Sequence, residues 1–513
     1  MYSSTVPNPW LLGLGIAFLL STVSMFAINK RPRSLVLKRF RFGRRRASAA
    51  STPPRSISPT KAVNMNAKGP LSATSPIPDY INTFPPSRRQ ALRQLSKTAS
   101  ASNRKILNSS DPTPEVLAKN ALPMNQPYTT ENGKPKYTPM GFSTDEIRAM
   151  GDFPDYSILT EVPDPRPYKD FDPVRALARP YRPFRWAYHQ TMSLTKMEPD
   201  WWLEIDNTYT SVIKKRQQLF RDHGNKVLDF LPGSELVCKE LMEMCLRFYC
   251  ARYPSYFSLS ADKTTFHNAL LKTKTDIKSM HPLHVLLNNV PEDFAIVLRN
   301  ETDGMYYMRA GVICSSLGWN VSTKIGLQLR EIHAPIPDYK EKMQFSMDRY
   351  FSKMPTNAPI QRGSWGLEVG TPLFMPPGDP HETLRESQSQ DLKIEECNLR
   401  VDWQTLRRLP LSGGVVFNFT ALFTPVQEFR DEPYIPALVL KILKQGKKSL
   451  MEYKNTWHVE HVVIPELEKY AKEQVENGMV RGENEGEEWD VATLEENPYF
   501  PGWEEKWHRQ QGY

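Results

Sequence analysis

Residues Trp10–Ile28 (WLLGLGIAFLLSTVSMFAI) form a 19-residue run without a charge. An apolar helix of that length has to be covered on all sides. At 1.5 Å per residue it reaches about 28 Å, close to the ~30 Å thickness of a bilayer's hydrocarbon. A cleaved signal peptide needs basic residues ahead of its apolar run, and none precedes Trp10. The basic residues follow instead. Lys30–Arg46 (KRPRSLVLKRFRFGRRR) carries nine of them and no acidic residue, which matches the net charge of the whole chain, +9. The reading is a single transmembrane helix over residues 1–28, with Met1 outside or lumenal and the rest of the chain cytosolic. Residues 10–46 as a whole are expected to meet membrane lipid, the basic tract lying on anionic headgroups or serving as the stop-transfer flank. The remaining chain is neutral overall, so its basic pI does not mark a nucleic-acid-binding domain.

From Ala47 to about Lys134 the composition turns to Ser, Thr, Pro, Ala and Asn, with no apolar period. Such a segment buries too little apolar area to offset its ordering entropy. Residues 29–135 are therefore expected to be a linker, basic and then Ser/Pro-rich and disordered. Order should begin near Tyr137. Phe153–Tyr181 is rich in proline and aromatics, which suits a wrap over a surface. Trp202, Ile205, Tyr209, Ile213, Arg216 and Phe220 recur at helical spacing, and Gly224 follows, so a helix is expected over Asp200–His223. A second is expected over Ser234–Arg252, ended by Pro254. Residues 136–260 thus read as mainly helical.

The pattern then changes. Phe294–Asn300 and Met305–Cys314 are strand-like runs joined through Asp303-Gly304, a hairpin signal. Trp365–Val369, Cys397–Trp403 and Gly413–Thr424 read as further strands, with a short helical or irregular piece over Ser322–His333. An antiparallel sheet with intervening helices makes an α+β fold over 261–430. Helices over Ile435–Lys444 and Val459–Asn477 fill 431–480, and 481–513 is an acidic tail.

The five cysteines are odd in number and include no CxxC pair. That excludes a disulfide scaffold, a zinc ribbon and a ligated iron–sulfur cluster. No GxSxG, GxxxxGK[ST], HExxH or kinase signature is present. His458 and His461 are three apart on a predicted helix, but a metal pair needs a third ligand, so a solvated helix face is the simpler reading. His281 and His284 suit a helix entry or a core. Two segments are less ordinary. Phe184–Leu194 gathers Arg185, Trp186, Tyr188, His189 and Gln190, an aromatic–basic cluster suited to a pocket wall. Trp319–Tyr339 ends an amphipathic piece on His333, with Pro335 and Pro337 fixing the backbone just beyond. A rigid imidazole on an apolar face suits an axial haem ligand, and it equally suits a capped core histidine.

These segments carry a resemblance. PFRWAYHQTMSL (183–194), NVPEDFAIVLR (289–299), YYMRAGVICSSLGWNVSTKIGLQLREIHAPIP (306–337), RGSWGLEV (362–369) and VDWQTLRRLPLSGGVVFNFTALFTPV (401–426) resemble the haem-dependent oxidative N-demethylase α-subunit family, specifically its fungal membrane-anchored members. The similarity runs from about Asp155 to Ala437. It implies a PAS-like antiparallel sheet with flanking helices over 261–430 and haem as cofactor. It also implies oxidative removal of an N-methyl group from a small secondary or N-methylated amine, with release of formaldehyde. Electrons would come from a separate flavin/iron–sulfur reductase, since this chain has neither a dinucleotide loop nor cluster cysteines. Within the match His333 is the candidate metal ligand. Arg309, Trp319 and Lys324 are candidates for the haem environment, and His189 and Tyr188 for the catalytic, substrate side. Trp403 and Leu411 depart from the bacterial members, which carry basic residues there.

The alternatives are a non-catalytic haem-binding PAS-like sensor, with Cys314 as a thiolate candidate in either haem case, and a protein-interaction module without haem. For the topology, protease added outside sealed microsomes should digest the C-terminal region, and the Asn320 and Asn418 sequons should carry no glycan. Protection of that region, or glycan at either asparagine, would reverse the orientation.

Overall fold

The computed structural model describes residues 137–189, 191–300, 303–376, 378–481 and 489–513. The expected membrane helix and linker lie outside the described residues, among which no helix is long and apolar enough to cross a membrane. The described part mixes helices with antiparallel sheet. Its strands in chain order are β1 (Thr195–Lys196), β2 (Leu228–Phe230), β3 (Phe257–Leu259), β4 (Thr265–Asn268), β5 (Thr273–Asp276), β6 (Asp293–Arg299), β7 (Tyr306–Val312), β8 (Ile360–Val369), β9 (Cys397–Arg408) and β10 (Val415–Pro425). Strands β3–β5 form a small sheet of their own, and the rest form one sheet in the order β1-β8-β9-β10-β6-β7-β2.

The β6–β7 hairpin forms where the Asp-Gly pair placed it: Gly304 takes φ +73° and its N–H donates to Asn300 O at 2.8 Å. Strands β8 and β9 run longer than their apolar residues suggested. In β8, Gly363 sits under the Tyr181 ring, where an added Cβ would come within 2.5 Å of the ring. That glycine lets the aromatic wrap lie directly on the strand. In β9 the extension is Gln404–Arg408, whose arginines are buried rather than solvated. Arg408 donates to Met354 O (2.7 Å) and Gly413 O (2.9 Å), and Arg407 lies 3.8 Å over the Trp202 ring. The short β3–β5 strands escaped the sequence reading because β3 has only three residues (FSL), β4 and β5 are mostly polar (TFHN, TKTD), and each buries only one or two side chains.

Side chains alternate between faces, so the register of β9 with β10 sorts them. Trp403 and Thr420 share one face with Thr405 and Asn418, while Gln404, Leu406, Phe417 and Phe419 share the other. The first face is covered by the helix Glu235–Arg252 through Leu241, Cys245 and Phe248, and by the helices Ile435–Gln445 and Trp457–Glu476 through Leu438, Ile442 and Val463. Over the second face lie four helical pieces, Val321–Lys324, Leu329–Ile332, Tyr339–Lys342 and Gln344–Lys353, packed through Val321, Leu329, Met347 and Phe351 onto Leu406, Val415 and Phe419.

The expected helix over Asp200–His223 begins at Tyr209. Ahead of it stand a 3-10 turn at Pro199–Trp201 and an Asp206 side chain that accepts Thr208 N (2.8 Å). Trp202 and Ile205 are buried from that turn. The wrap is locked by a bidentate pair, Arg182 to Glu432, with two contacts of 2.6 Å at 4% and 1% exposure. The chain's acidic end contributes too. Phe500 is buried, the helix Trp503–Gln511 packs against the wrap through Trp507, and Lys506 reaches Glu432 at 3.4 Å.

Removing one partner of a buried ion pair costs roughly 3–5 kcal/mol because the other is left unpaired. Glu432 keeps Lys506 at 3.4 Å when Arg182 is lost, whereas losing Glu432 leaves the buried Arg182 with only the Tyr181 carbonyl, at 3.2 Å, Lys506 retaining Glu428 at 2.9 Å. Urea unfolding should therefore find Glu432→Ala more destabilising than Arg182→Ala. Equal or inverted costs would contradict this account of the pair.

Candidate functional site

Between the second face of β8–β10 and the helical pieces above it, the side chains leave a recess. Although β9 and β10 are interior strands, Gln404 and Phe417 stay only half-buried, as do Ala295 on β6 and Ile360 and Arg362 on β8. Half-buried apolar side chains, Met192, Trp319, Ile325, Ile332 and Ile336, border the same cluster from the opposite side.

His333 caps the one-turn helix Leu329–Ile332. Its Nδ1 lies 2.7 Å from Leu329 O, and its ring stacks on Tyr339 at 5.4 Å and 18°. A carbonyl only accepts, so Nδ1 carries the proton and Nε2 keeps its lone pair. Nε2 has no hydrogen-bond partner among the described residues. Burial pushes the imidazole pKa down to about 4, with the Arg362 and Lys324 charges adding to the effect. The ring is therefore neutral at pH 7. Lys324 ends the neighbouring helix and donates from Nζ to Ile332 O at 3.2 Å, and burial lowers its pKa. Trp319 lies 6.2 Å from the Phe419 ring.

Below His333 the strand face is cationic. Arg362 is depressed in pKa by burial, faces Tyr181, Tyr188 and Tyr453, and has no partner for Nε. Lys454 donates to Trp365 O at 2.7 Å and stands 4.9 Å from the Trp365 ring and 5.8 Å from that of Tyr188. Burial and the Arg362 charge push its pKa down to about 7. The nearest countercharge, Asp402, already accepts Arg400 at 2.9 Å. Tyr188 packs on Trp365 at 5.8 Å, and burial raises the pKa of its hydroxyl, which stays protonated.

The structure thus brings together His333, Lys324 and Trp319 from the sequence reading, while Tyr188 packs on Trp365 in the first-face cluster and adjoins this group only through Arg362. It adds Arg362 and Lys454. His189 is exposed, with Nδ1 at 2.8 Å from Ala187 O. Arg309 is at a distance from this cluster, its guanidinium on Pro232 O at 2.6 Å. Trp403 points to the opposite face and donates to Gln361 at 3.1 Å, so its departure from the bacterial pattern does not alter the recess. Arg362 had a signal: a charged residue within a strand whose neighbours Gln361 and Trp365 face inward. Lys454 had none, since it enters from a helix in a polar sequence. His458, expected on a solvated face, is 1% exposed, because the loop carrying His381 and Ser389 covers it.

Haem fits these residues. Iron takes an imidazole nitrogen whose other nitrogen is tied to a carbonyl. The porphyrin takes apolar walls, and its carboxylates take cations that lack partners. The buried, orphaned Nε of the half-buried Arg362 is the observation that tests this.

In the haem-free protein the unfolded chain protonates His333 near pH 6.5, the folded one only near 4. Between those values the unfolded state holds more protons, so stability falls as pH drops through the window. His281 and His458 titrate alongside. His333→Phe should remove one group's share, at most about 1.4 kcal/mol per pH unit. Urea titrations at pH 4.5 and 6.5 that leave the slope unchanged would place His333 in solvent.

No curated protein matches the chain. A sequence profile described as haem-dependent oxidative N-demethylase, alpha subunit-like, matches residues 193–464, just over half of the 513 residues. That span holds β8–β10, His333, Arg362 and Lys454 and stops short of Tyr188 and His189. The chain belongs to the haem-dependent oxidative N-demethylase, alpha subunit-like, family.

Proposed function

We propose that the chain is a membrane-anchored haem-dependent oxidoreductase that removes an N-methyl group from a small secondary or N-methylated amine and releases formaldehyde. The observation that carries this reading is His333: Nδ1 fixed on a backbone carbonyl, Nε2 without a hydrogen-bond partner among the described residues, and the Arg362 and Lys324 charges acting on the ring. The order β8-β9-β10-β6-β7, with four helical pieces between β7 and β8, supports a PAS-like architecture. The anchor rests on Trp10–Ile28 and its basic flank.

Haem supplies the one-electron and dioxygen chemistry when bound. Overall, the N-methyl amine, dioxygen, two electrons and two protons give the demethylated amine, formaldehyde and water. The electrons come from a separate flavin/iron–sulfur reductase, for the chain's cysteines stand singly and burial raises their thiol pKa values. Within the chain His333 offers Nε2 to the iron, and Arg362, Lys454 and Lys324 hold the cofactor's carboxylates. The Tyr188 hydroxyl remains a donor beside Trp365 and Lys454, at the β8 edge. Lys454, poised near neutrality, can hold or release a proton there. His189 lies at the exposed rim beside Tyr188.

The purified full chain should show a Soret band. His333→Ala should lose stoichiometric haem or change its ligation, and added imidazole should restore the original band by filling the hole. Cys314→Ala and His284→Ala should leave the spectrum unchanged. A wild-type spectrum in His333→Ala would remove the ligand assignment. Haem binding with no formaldehyde from any N-methyl amine, reductase present, would favour the sensor instead.

A further inference from the structure

A second cavity of about 120 Å³ lies against the first face of the sheet, opposite His333, between Trp403 and Thr420 of β9–β10, the helix Tyr209–His223 and the wrap. Its deepest charge is Arg216, 1% exposed. The Nη1 of Arg216 donates to Asp293 and to Pro291 O at 3.1 Å. Asp293 is fully engaged, accepting Cys314 N (2.8 Å), Ser315 N (2.7 Å) and Ser315 Oγ (2.5 Å) as well. The other edge of the guanidinium, Nε and Nη2, meets no acceptor. Those two nitrogens present parallel N–H groups, the fork that matches a carboxylate in a bidentate pair.

The other lining groups fit the same ligand. Glu292, 2% exposed, accepts one bond from Asn418 Nδ2 at 3.3 Å. Burial pushes its pKa up to about 8, so at neutral pH it is uncharged and can donate rather than repel. Three aromatic walls have their polar atoms occupied. Tyr209 Oη donates to Asn289 O (2.7 Å), Tyr253 Oη accepts Ile205 N (3.2 Å) and Trp403 Nε1 donates to Gln361 (3.1 Å). Tyr209 and Trp403 offer the cavity ring surface, and Tyr253 its ring and a hydroxyl hydrogen. At roughly 10–15 Å³ per enclosed water, the space suits a ligand of about ten non-hydrogen atoms.

We propose that this cavity binds a small aromatic carboxylate, its carboxylate on the Nε/Nη2 edge of Arg216 and its ring between Tyr209, Tyr253 and Trp403. The site is separate from the haem recess and does not depend on it.

Benzoate is the probe, titrated calorimetrically into the full chain in detergent, with benzyl alcohol as the uncharged control. Benzoate should saturate one site per chain and benzyl alcohol should bind at least tenfold more weakly. Arg216→Gln should abolish binding. Because that change also frees Asp293 and can unfold the protein, Val212→Phe serves as the second variant: it fills the cavity from a half-buried helix position without touching the Arg216–Asp293 pair. It should weaken benzoate at least tenfold. His333→Ala should leave benzoate affinity within twofold even where the haem band is lost. Absence of saturable benzoate binding, unchanged affinity in Val212→Phe, or equal affinity for benzyl alcohol would each overturn the proposal.

Discussion

Strand β9 is flanked on both edges, so its alternating side chains have no route to water except along the strand ends. Three of them are arginines all the same: Arg400, Arg407 and Arg408, at 3–5% exposure. A buried guanidinium is tolerable only with its donors satisfied. For Arg400 and Arg408 most of the acceptors are backbone carbonyls, whereas Arg407 lies on the Trp202 ring with its Nε unpaired. Arg408 gathers those of Phe351 and Met354, at the C-terminal end of Gln344–Lys353, with the Tyr306 hydroxyl, and Arg400 gathers those of Ser315 and Pro372. Helix ends leave such carbonyls without intrahelical partners. The strand therefore fixes the ends of the segments above it by polar bonds of set length, and apolar contact fills in around them. A layer held at its ends in this way can stand off the middle of the sheet, where Phe417 and Gln404 stay half-buried and His333 looks down.

The recess is electrostatically unfinished. Arg362 and Lys454 repel one another across it, and the Asp402 that could offset them belongs to Arg400. An apolar surround strengthens that repulsion. A dianionic guest relieves it and, by binding only the folded form, adds to the stability of the fold by mass action. It also returns the Lys454 ammonium towards its ordinary pKa, so guest binding near neutral pH draws in a proton.

Where chemistry and local pattern agreed, the sequence was readable. The Asp303-Gly304 hairpin, the β10 run and the helix Glu235–Arg252 are local signals with local causes. The histidine of IHAPIP was singled out because it ends an amphipathic stretch and two prolines follow it, and its capping position needs no tertiary knowledge. What escaped were features whose cause is distant. Gln404–Arg408 reads as a polar segment until its carbonyl partners, 50 or more residues earlier, are known. Arg309 sits in the best-matching segment, yet its partner, Pro232, lies 77 residues away. Lys454 acquires a role only because a helix brings it over the edge of β8.

The clasp between the aromatic wrap and the Trp503–Gln511 helix has a consequence in time. Arg175 bonds to the carbonyl of Gln511, 336 residues later, and a ribosome adding about 5–20 residues per second needs roughly 17–67 s to cover that distance. For most of that interval the nascent wrap has Tyr181 and Phe184 made but lacks Glu432, and for all of it lacks the complete Trp503–Gln511 helix that closes over them. The aromatic segment is thus a timed exposure on the polysome, a natural station for chaperones, and a stop placed just before the Trp503–Gln511 helix would leave it open for good.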